Sequence, residues 1–215
     1  MNRQSFLRKP FRYVYWNATL IIIGINIGVY LLCRMNTRWL SYLALNPYNL
    51  VNWRMYWQVF TYAFVHDLSS IQHLLFNMLG LLFFGVPVEK AIGSREFLLM
   101  YILSALFCGL ASLLIYFLSG AWGVFLYGAS GCLYAVLLVY AVIYPRAKIF
   151  IWGILPIPAP ILIAVYAGIE IADQLLNLRG GVAHMTHIAG FAFAWLYLLI
   201  RMNVHPWRVW KNAYR

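Results

Sequence analysis

The sequence predicts an all-α polytopic membrane protein, in which six transmembrane helices form one bundle and a long first loop lies at the membrane interface. Of its 215 residues, 64% are hydrophobic and only 10% are charged, whereas soluble domains carry about 25% charged residues. Apolar runs long enough to cross a bilayer follow one another along almost the whole chain. This composition excludes a soluble globular domain, a disordered chain and a disulfide scaffold.

A helix needs about 20 apolar residues to cross a bilayer, and fewer if polar groups face the protein interior. The six predicted spans cover residues 17–33, 71–88, 97–118, 128–144, 160–176 and 183–200. Residues 34–70 are too polar to span and are rich in tryptophan and tyrosine, which settle at membrane interfaces. The chain therefore divides into a basic segment at residues 1–16, a membrane domain at residues 17–200 and a basic tail at residues 201–215.

The net charge of +11 comes from basic residues that flank the spans. If alternate loops share one side, the termini and the loops at 89–96 and 146–148 hold twelve Lys and Arg residues. The opposite side holds four, namely Arg34, Arg38, Arg54 and Arg179. The positive-inside rule then predicts cytoplasmic termini and an outward-facing first loop. Nucleic acid is disfavoured as a partner, because no basic helix or aromatic-interleaved basic loop is present.

The three cysteines, Cys33, Cys108 and Cys132, all lie within apolar segments. They have no paired spacing that would indicate a disulfide or a metal site. We therefore expect them to be small, buried apolar side chains.

Polar side chains are costly inside a bilayer, so each one within a span requires an explanation. His73 and Asn77 are four residues apart and share one helical face of the second span. Ser130 lies between glycines at the start of the fourth span, where a helix exposes unpaired N–H groups. His184 and His187 lie one turn apart in the sixth span.

A hydroxyl, imidazoles and an amide contributed by three spans are the parts of a serine hydrolase. A histidine takes the proton of the serine, and fixed donors stabilise the oxyanion of the tetrahedral intermediate. We expect Ser130 to be the nucleophile, with a histidine of the sixth span as the base. The expected oxyanion donors are the backbone N–H of Ser130 and the side chains of His73 and Asn77.

Two histidines compete for the role of base, and their rings point about 60° apart around the helix. We choose His187, because Gly190 lies near the same face and lets that face approach the fourth span closely. Tyr134 lies one turn from Ser130 and faces the same contact. His184 is expected to touch water or the adjacent loop.

Plainer interpretations exist for each of these residues taken alone. Ser130 fits a helix–helix contact, and His73 with Asn77 fits interhelical hydrogen bonding. Metal binding by the sixth-span histidines is disfavoured, because the sequence has no H-E-x-x-H motif and no carboxylate at ligand spacing. No acidic residue lies beside a motif histidine, and Glu170 and Asp173 are expected to be solvated at the interface. Only the combination favours an enzyme.

That combination resembles the rhomboid family of intramembrane serine proteases. The residues that match are Gly128-Ala129-Ser130-Gly131 for the G-x-S-G nucleophile motif, His73-Leu74-Leu75-Phe76-Asn77 for the H-x-x-x-N oxyanion motif, His187-Ile188-Ala189-Gly190 for the catalytic histidine segment, and Tyr134 for the tyrosine that packs on that histidine. Two positions depart from the family pattern: Trp57-Gln58 occupies a slot that often reads Trp-Arg, and Ala194 replaces a second glycine after Gly190.

The resemblance implies a rhomboid-like bundle with a Ser–His dyad that hydrolyses peptide bonds of transmembrane proteins in or near the outer leaflet. It implies no cofactor and no metal, with transmembrane substrates and the lipid bilayer as partners. The implied location is a bacterial inner membrane. The alternative is a catalytically inactive rhomboid-like protein that binds or chaperones membrane clients. Loss of the serine or the base histidine would favour that alternative, and the sequence retains both.

The charge bias makes the topology testable with alkaline phosphatase, which is active only after export. A fusion after residue 215 should be inactive, and a fusion within residues 34–70 should be active. Enzyme activity in cells expressing equal amounts of each fusion is the measurement. The reverse pattern would overturn both the cytoplasmic termini and the outward-facing site.

Overall fold

A computed structural model describes residues 8–151, 154–176 and 183–215, which are mostly helical. The helices are α1 (Ala18–Met35), α2 (Arg38–Leu43), α3 (Pro47–Asn52), α4 (Gln58–Thr61), α5 (Ile71–Gly80), α6 (Val86–Ile92), α7 (Ser94–Ser119), α8 (Ser130–Ile143), α9 (Ala159–Leu176), α10 (Ala183–Ile200) and α11 (Pro206–Ala213). Strands β1 (Lys148–Ile151) and β2 (Leu155–Pro158) pair as an antiparallel hairpin before α9. Arg179 and residues 1–7, which entered the charge count, lie outside the described ranges.

Among the described residues, three helices are long and apolar enough to cross a membrane. They are α1, α7 and the continuous helix Ile71–Ile92, in which a π-helical turn at Leu81–Gly85 joins α5 to α6. Their positions agree with the first three predicted spans, and the chain is an integral membrane protein. Helix α8 and residues His184–Ile200 form shorter apolar helices. The count of six spans stays a prediction.

Helix α8 is the central helix, because ten of its 14 residues are buried. A helix that is apolar on all sides belongs in a core, and α7, α9 and α10 pack around it. Fourteen residues rise about 21 Å, which is less than the roughly 30 Å of a hydrocarbon core. The N-terminus of α8, where Ser130 lies, is therefore expected below the membrane surface.

The first loop is held together by the buried side chain of Gln58. Its Oε1 accepts the backbone N–H of Asn46 at 3.2 Å, and its Nε2 donates to the carbonyls of Ser41 at 3.0 Å and Tyr42 at 3.2 Å. Asn46 in turn caps α3 by accepting the N–H of Asn49. The residue that departs from the family pattern thus connects α2, α3 and α4, since one amide can both donate and accept.

A buried carboxylate joins α1 to the α6–α7 junction. Glu89 accepts the backbone N–H groups of Ala18 at 2.6 Å and Thr19 at 2.8 Å, together with the hydroxyls of Thr19 and Ser94. These contacts satisfy N–H groups at the start of α1, where negative charge is also favoured by the helix dipole. Glu89 therefore fixes the first span against the second and third.

The three cysteines are buried free thiols, as the sequence predicts. Cys108 and Cys132 belong to the main apolar core, and Cys33 belongs to a smaller cluster with Ala44 and Val65. They fill space between helices as small apolar side chains do.

Candidate active site

Ser130 is the first residue of α8, and a constrained loop delivers it there. Leu126 pairs with Leu45 through two backbone hydrogen bonds, and the N–H of Gly128 donates to the carbonyl of Tyr62 at 3.1 Å. Gly128 has φ +130°, and a Cβ at this position would lie 3.0 Å from the ring of His73. Glycine is required here because an L-residue would be strained and would displace that ring.

The structure places His187 against Ser130. The Nε2 atom of His187 lies 2.8 Å from Ser130 Oγ, so α10 and α8 meet through a hydrogen bond between these two side chains. The Tyr134 ring stacks on the His187 ring with centroids 4.3 Å apart and an interplanar angle of 5°. An imidazole held this way has the geometry of a general base beside a nucleophilic hydroxyl.

A close approach of the two backbones makes that contact possible. Gly190 packs directly on the carbonyl of Gly131, and a Cβ at position 190 would also lie 3.4 Å from the Cβ of Tyr134. At position 131, a Cβ would lie 3.0 Å from Thr186 Cγ2. Small residues at such crossings allow helices to approach closely.

Glu170 on α9 completes the arrangement, and the expectation that its carboxylate is solvated is wrong. It is buried, and its Oε1 lies 2.9 Å from His187 Nδ1 and accepts the Tyr134 hydroxyl at 2.7 Å. Asp173 is also buried. Hydropathy places both carboxylates in a span but does not show which way they face. One sequence signal could have identified Glu170, because an ionisable residue within a predicted span indicates a functional position.

His184 lies in the same cluster, through a contact with Glu170 that the sequence did not predict. Its Nδ1 is 2.5 Å from Glu170 Oε2, and its side chain is 14% exposed. It therefore binds the opposite oxygen of the carboxylate that contacts His187. In the structure, His187 contacts Ser130, and His184 contacts the second carboxylate oxygen of Glu170.

Glu170, His184 and His187 are also the described residues that could hold a metal ion, with ligand atoms within 4.8 Å of one another. The sequence has no carboxylate at ligand spacing from the two histidines, and Glu170, which approaches them in the fold, lies on a different helix. Neighbouring ligands around a tetrahedral ion with bonds of 2.0–2.1 Å are about 3.3 Å apart. The carboxylate–imidazole distances of 2.5 and 2.9 Å are shorter. Hydrogen bonding fits this geometry better than metal ligation.

His73 and Asn77 line the same cavity as Ser130 and His187, a space of about 600 Å³. The backbone N–H of Asp67 approaches His73 Nδ1 at 3.4 Å, which leaves the proton of a neutral ring on Nε2, the atom that faces Gly128. Asn77 donates one amide hydrogen to the His73 carbonyl at 2.7 Å, and the amide has a second. Two side-chain donors are thus available to an anion in the cavity.

The loop before α5 sets the electrostatics beside His73. Burial and the neighbouring His73 lower the pKa of His66 to about 4, so His66 is neutral at physiological pH. Burial acts to raise the pKa of Asp67, but hydrogen bonds from Ser69 outweigh it, and the pKa lies below its ordinary value. Asp67 lines the cavity as a carboxylate.

A family model and the curated relatives of this chain agree on one family. A family model described as a Rhomboid domain matches residues 53–204. The chain is 28% identical over 178 residues to the Rhomboid protease GlpG of Pectobacterium atrosepticum, an alignment that covers 80% of this chain and 58% of that protein. It is 26% identical over 196 residues to the RHOMBOID-like protein 12, mitochondrial, of Arabidopsis thaliana, covering 81% and 57%.

A third relative, the Rhomboid protease GlpG of Yersinia pestis, is 33% identical over 122 residues, which cover 55% of this chain and 40% of the relative. The chain therefore spans less than two thirds of the length of these relatives.

Because α8 and α10 cross closely, one added methyl group at position 190 is predicted to destabilise the protein, whereas one added on an open helix face is not. Gly190→Ala should lower the stability in detergent by about 1–3 kcal/mol, because the added Cβ meets the Gly131 backbone. Gly24→Ala in α1 is the matched control, since a Cβ there has no neighbour within 4 Å. Thermal unfolding of both variants measures the difference. Equal midpoints for the two variants would contradict the close approach.

Proposed function

This chain belongs to the rhomboid family, and we propose that it is an intramembrane serine protease in which Ser130 is the nucleophile and His187 is the general base. The proposal is carried by the 2.8 Å contact between Ser130 Oγ and His187 Nε2, beside a cavity that His73 and Asn77 also line. The names of the bacterial relatives, which are rhomboid proteases, support the same activity.

The proposed reaction begins when the Ser130 hydroxyl gives its proton to His187 and its oxygen attacks the scissile carbonyl carbon. The carbonyl oxygen becomes an oxyanion, which accepts hydrogen bonds from the Ser130 N–H, His73 and Asn77. His187 then returns the proton to the leaving amine, and an acyl-enzyme ester remains on Ser130. A water molecule, deprotonated by His187, releases the acid product and regenerates the hydroxyl.

The proposed substrates are transmembrane proteins cut in or near the outer leaflet. Because α8 is shorter than a bilayer is thick, Ser130 lies at a depth where peptide hydrolysis needs a water-containing cavity enclosed by protein. A substrate helix must unwind locally, since its carbonyls are otherwise hydrogen-bonded within the helix. The cavity beside Ser130 provides room for a locally unwound segment of a substrate.

The proposed setting is a bacterial inner membrane with cytoplasmic termini, a basic N-terminal segment and a basic C-terminal tail. The twelve-to-four bias of Lys and Arg across the loops supports this orientation. The bacterial source of the GlpG relatives supports the compartment.

The catalytic assignment predicts different outcomes for three single substitutions. Ser130→Ala and His187→Ala should each abolish cleavage of a transmembrane substrate, whereas His184→Ala should keep measurable activity because the Ser130–His187 contact remains. Cleavage in proteoliposomes is the first measurement. Labelling by a fluorophosphonate probe, which reacts only with an activated serine, is the second.

Wild type should be labelled, and Ser130→Ala should not. Equal labelling of both proteins would refute the nucleophile. An inactive His184→Ala beside an active His187→Ala, with both folded, would refute the base. A folded wild type that neither labels nor cleaves would favour the inactive client-binding alternative.

The oxyanion assignment predicts slower turnover without loss of the fold. His73→Ala and Asn77→Ala should each lower kcat, because loss of one oxyanion donor costs about a hundredfold or more in soluble hydrolases. The remaining donors should limit the loss in each single variant, so the double variant should be slower than either. A double variant with wild-type kcat would reduce this pair to a structural role.

A further inference from the structure

We propose that Glu170 is a positioning residue that extends the Ser130–His187 pair into a Ser–His–Glu triad. This inference rests on the proposed function of Ser130 and His187. It differs from the dyad that the family resemblance implies, and it depends on a carboxylate carried by a third helix, α9.

The two nitrogens of His187 face partners that fix its tautomer. A carboxylate can only accept, so the 2.9 Å contact with Glu170 Oε1 requires the ring proton on Nδ1. Nε2 then has a lone pair, and it is the atom 2.8 Å from Ser130 Oγ. Glu170 thus selects the tautomer that can take the proton of Ser130.

Tyr134 holds the carboxylate and the imidazole together. Its hydroxyl donates to the same Oε1 atom at 2.7 Å, while its ring stacks parallel to His187. Rotation of the imidazole would break both the stacking and the Nδ1 hydrogen bond. The orientation of the base is therefore fixed by contacts from α8 and α9.

His184 satisfies the other oxygen of Glu170. With Nδ1 of His184 on Oε2 and two donors on Oε1, the carboxylate accepts three hydrogen bonds. This arrangement stabilises an ionised carboxylate within an apolar helix, where an isolated charge is costly. His184 thereby supports Glu170 and lies outside the path of the proton.

The charge of Glu170 acts when the proton moves. The proton leaves Ser130 Oγ as the Oγ–carbon bond forms, and it binds Nε2 of His187 while Nδ1 keeps its own. The resulting imidazolium lies between the oxyanion and an ionised Glu170, which stabilises the positive charge without taking the proton. The Nε2 proton passes to the leaving amine nitrogen as the peptide C–N bond breaks.

The test compares Glu170→Gln, Glu170→Asp and Asp173→Asn in proteoliposomes with a transmembrane substrate. Glutamine keeps the size of the side chain, but its amide can donate to Nδ1 and place the ring proton on Nε2, where it blocks the base. Asp173→Asn is the matched control, because it removes a second buried carboxylate from the same helix.

We expect Glu170→Gln to lower kcat by a factor of about 10² to 10⁴, with KM within about threefold of wild type, by analogy with the loss of a triad carboxylate in soluble serine proteases. Glu170→Asp should recover part of kcat because it restores the carboxylate. Asp173→Asn should keep kcat near the wild-type value. Thermal unfolding and fluorophosphonate labelling of each variant report the fold and the reactivity of Ser130.

A Glu170→Gln protein with wild-type kcat, beside an inactive Ser130→Ala protein, would overturn the triad and leave the proposed protease intact. An inert wild type would remove the proposed function and the triad together. Loss of wild-type activity on adding EDTA, with recovery on adding Zn²⁺, would make Glu170 a metal ligand and overturn the positioning role.

Discussion

A carboxylate or an imidazole inside an apolar helix bundle must find hydrogen-bond partners within the protein, because the bilayer core supplies none. Glu89 takes its donors from the start of α1 and from the start of α7, and Glu170 takes them from α8 and α10. Since each partner lies on another helix, satisfying one carboxylate fixes two or three helices against each other. The contacts that satisfy Glu170 inside the helix bundle thus also hold His187 opposite Ser130.

Two features of the backbone complement this polar network. Helix α8 is shorter than a hydrocarbon core is thick, so Ser130 at its N-terminus is expected below the membrane surface, beside a cavity of about 600 Å³. Gly190 and Gly131 bring α10 and α8 close enough for side chains of modest length to meet. The proposed activity requires both features, since a wider crossing would separate Ser130 from His187 and a longer helix would move the serine towards the membrane surface.

Much of this arrangement could be predicted from the sequence. Apolar runs gave the first three spans because hydropathy measures the cost of transfer directly. Ser130 and His187 were recognisable because each is a polar residue in an apolar helix beside small residues. Gln58 had no such signal, since its role depends on which backbone groups of the first loop come within reach of its amide. Glu170 was expected to be solvated, which is wrong because the fold buries it.

The sequence by itself determined a membrane protein with polar groups at defined positions along its helices, because composition and spacing are properties of the chain. Only the tertiary structure decided the partners of those groups. The presence of Glu170 within an apolar segment follows from the sequence, but its contacts follow from the rotation of α9 against α8 and α10. That rotation is set by packing between residues far apart in sequence, so His184, His187 and Tyr134 meet one carboxylate only in the folded bundle.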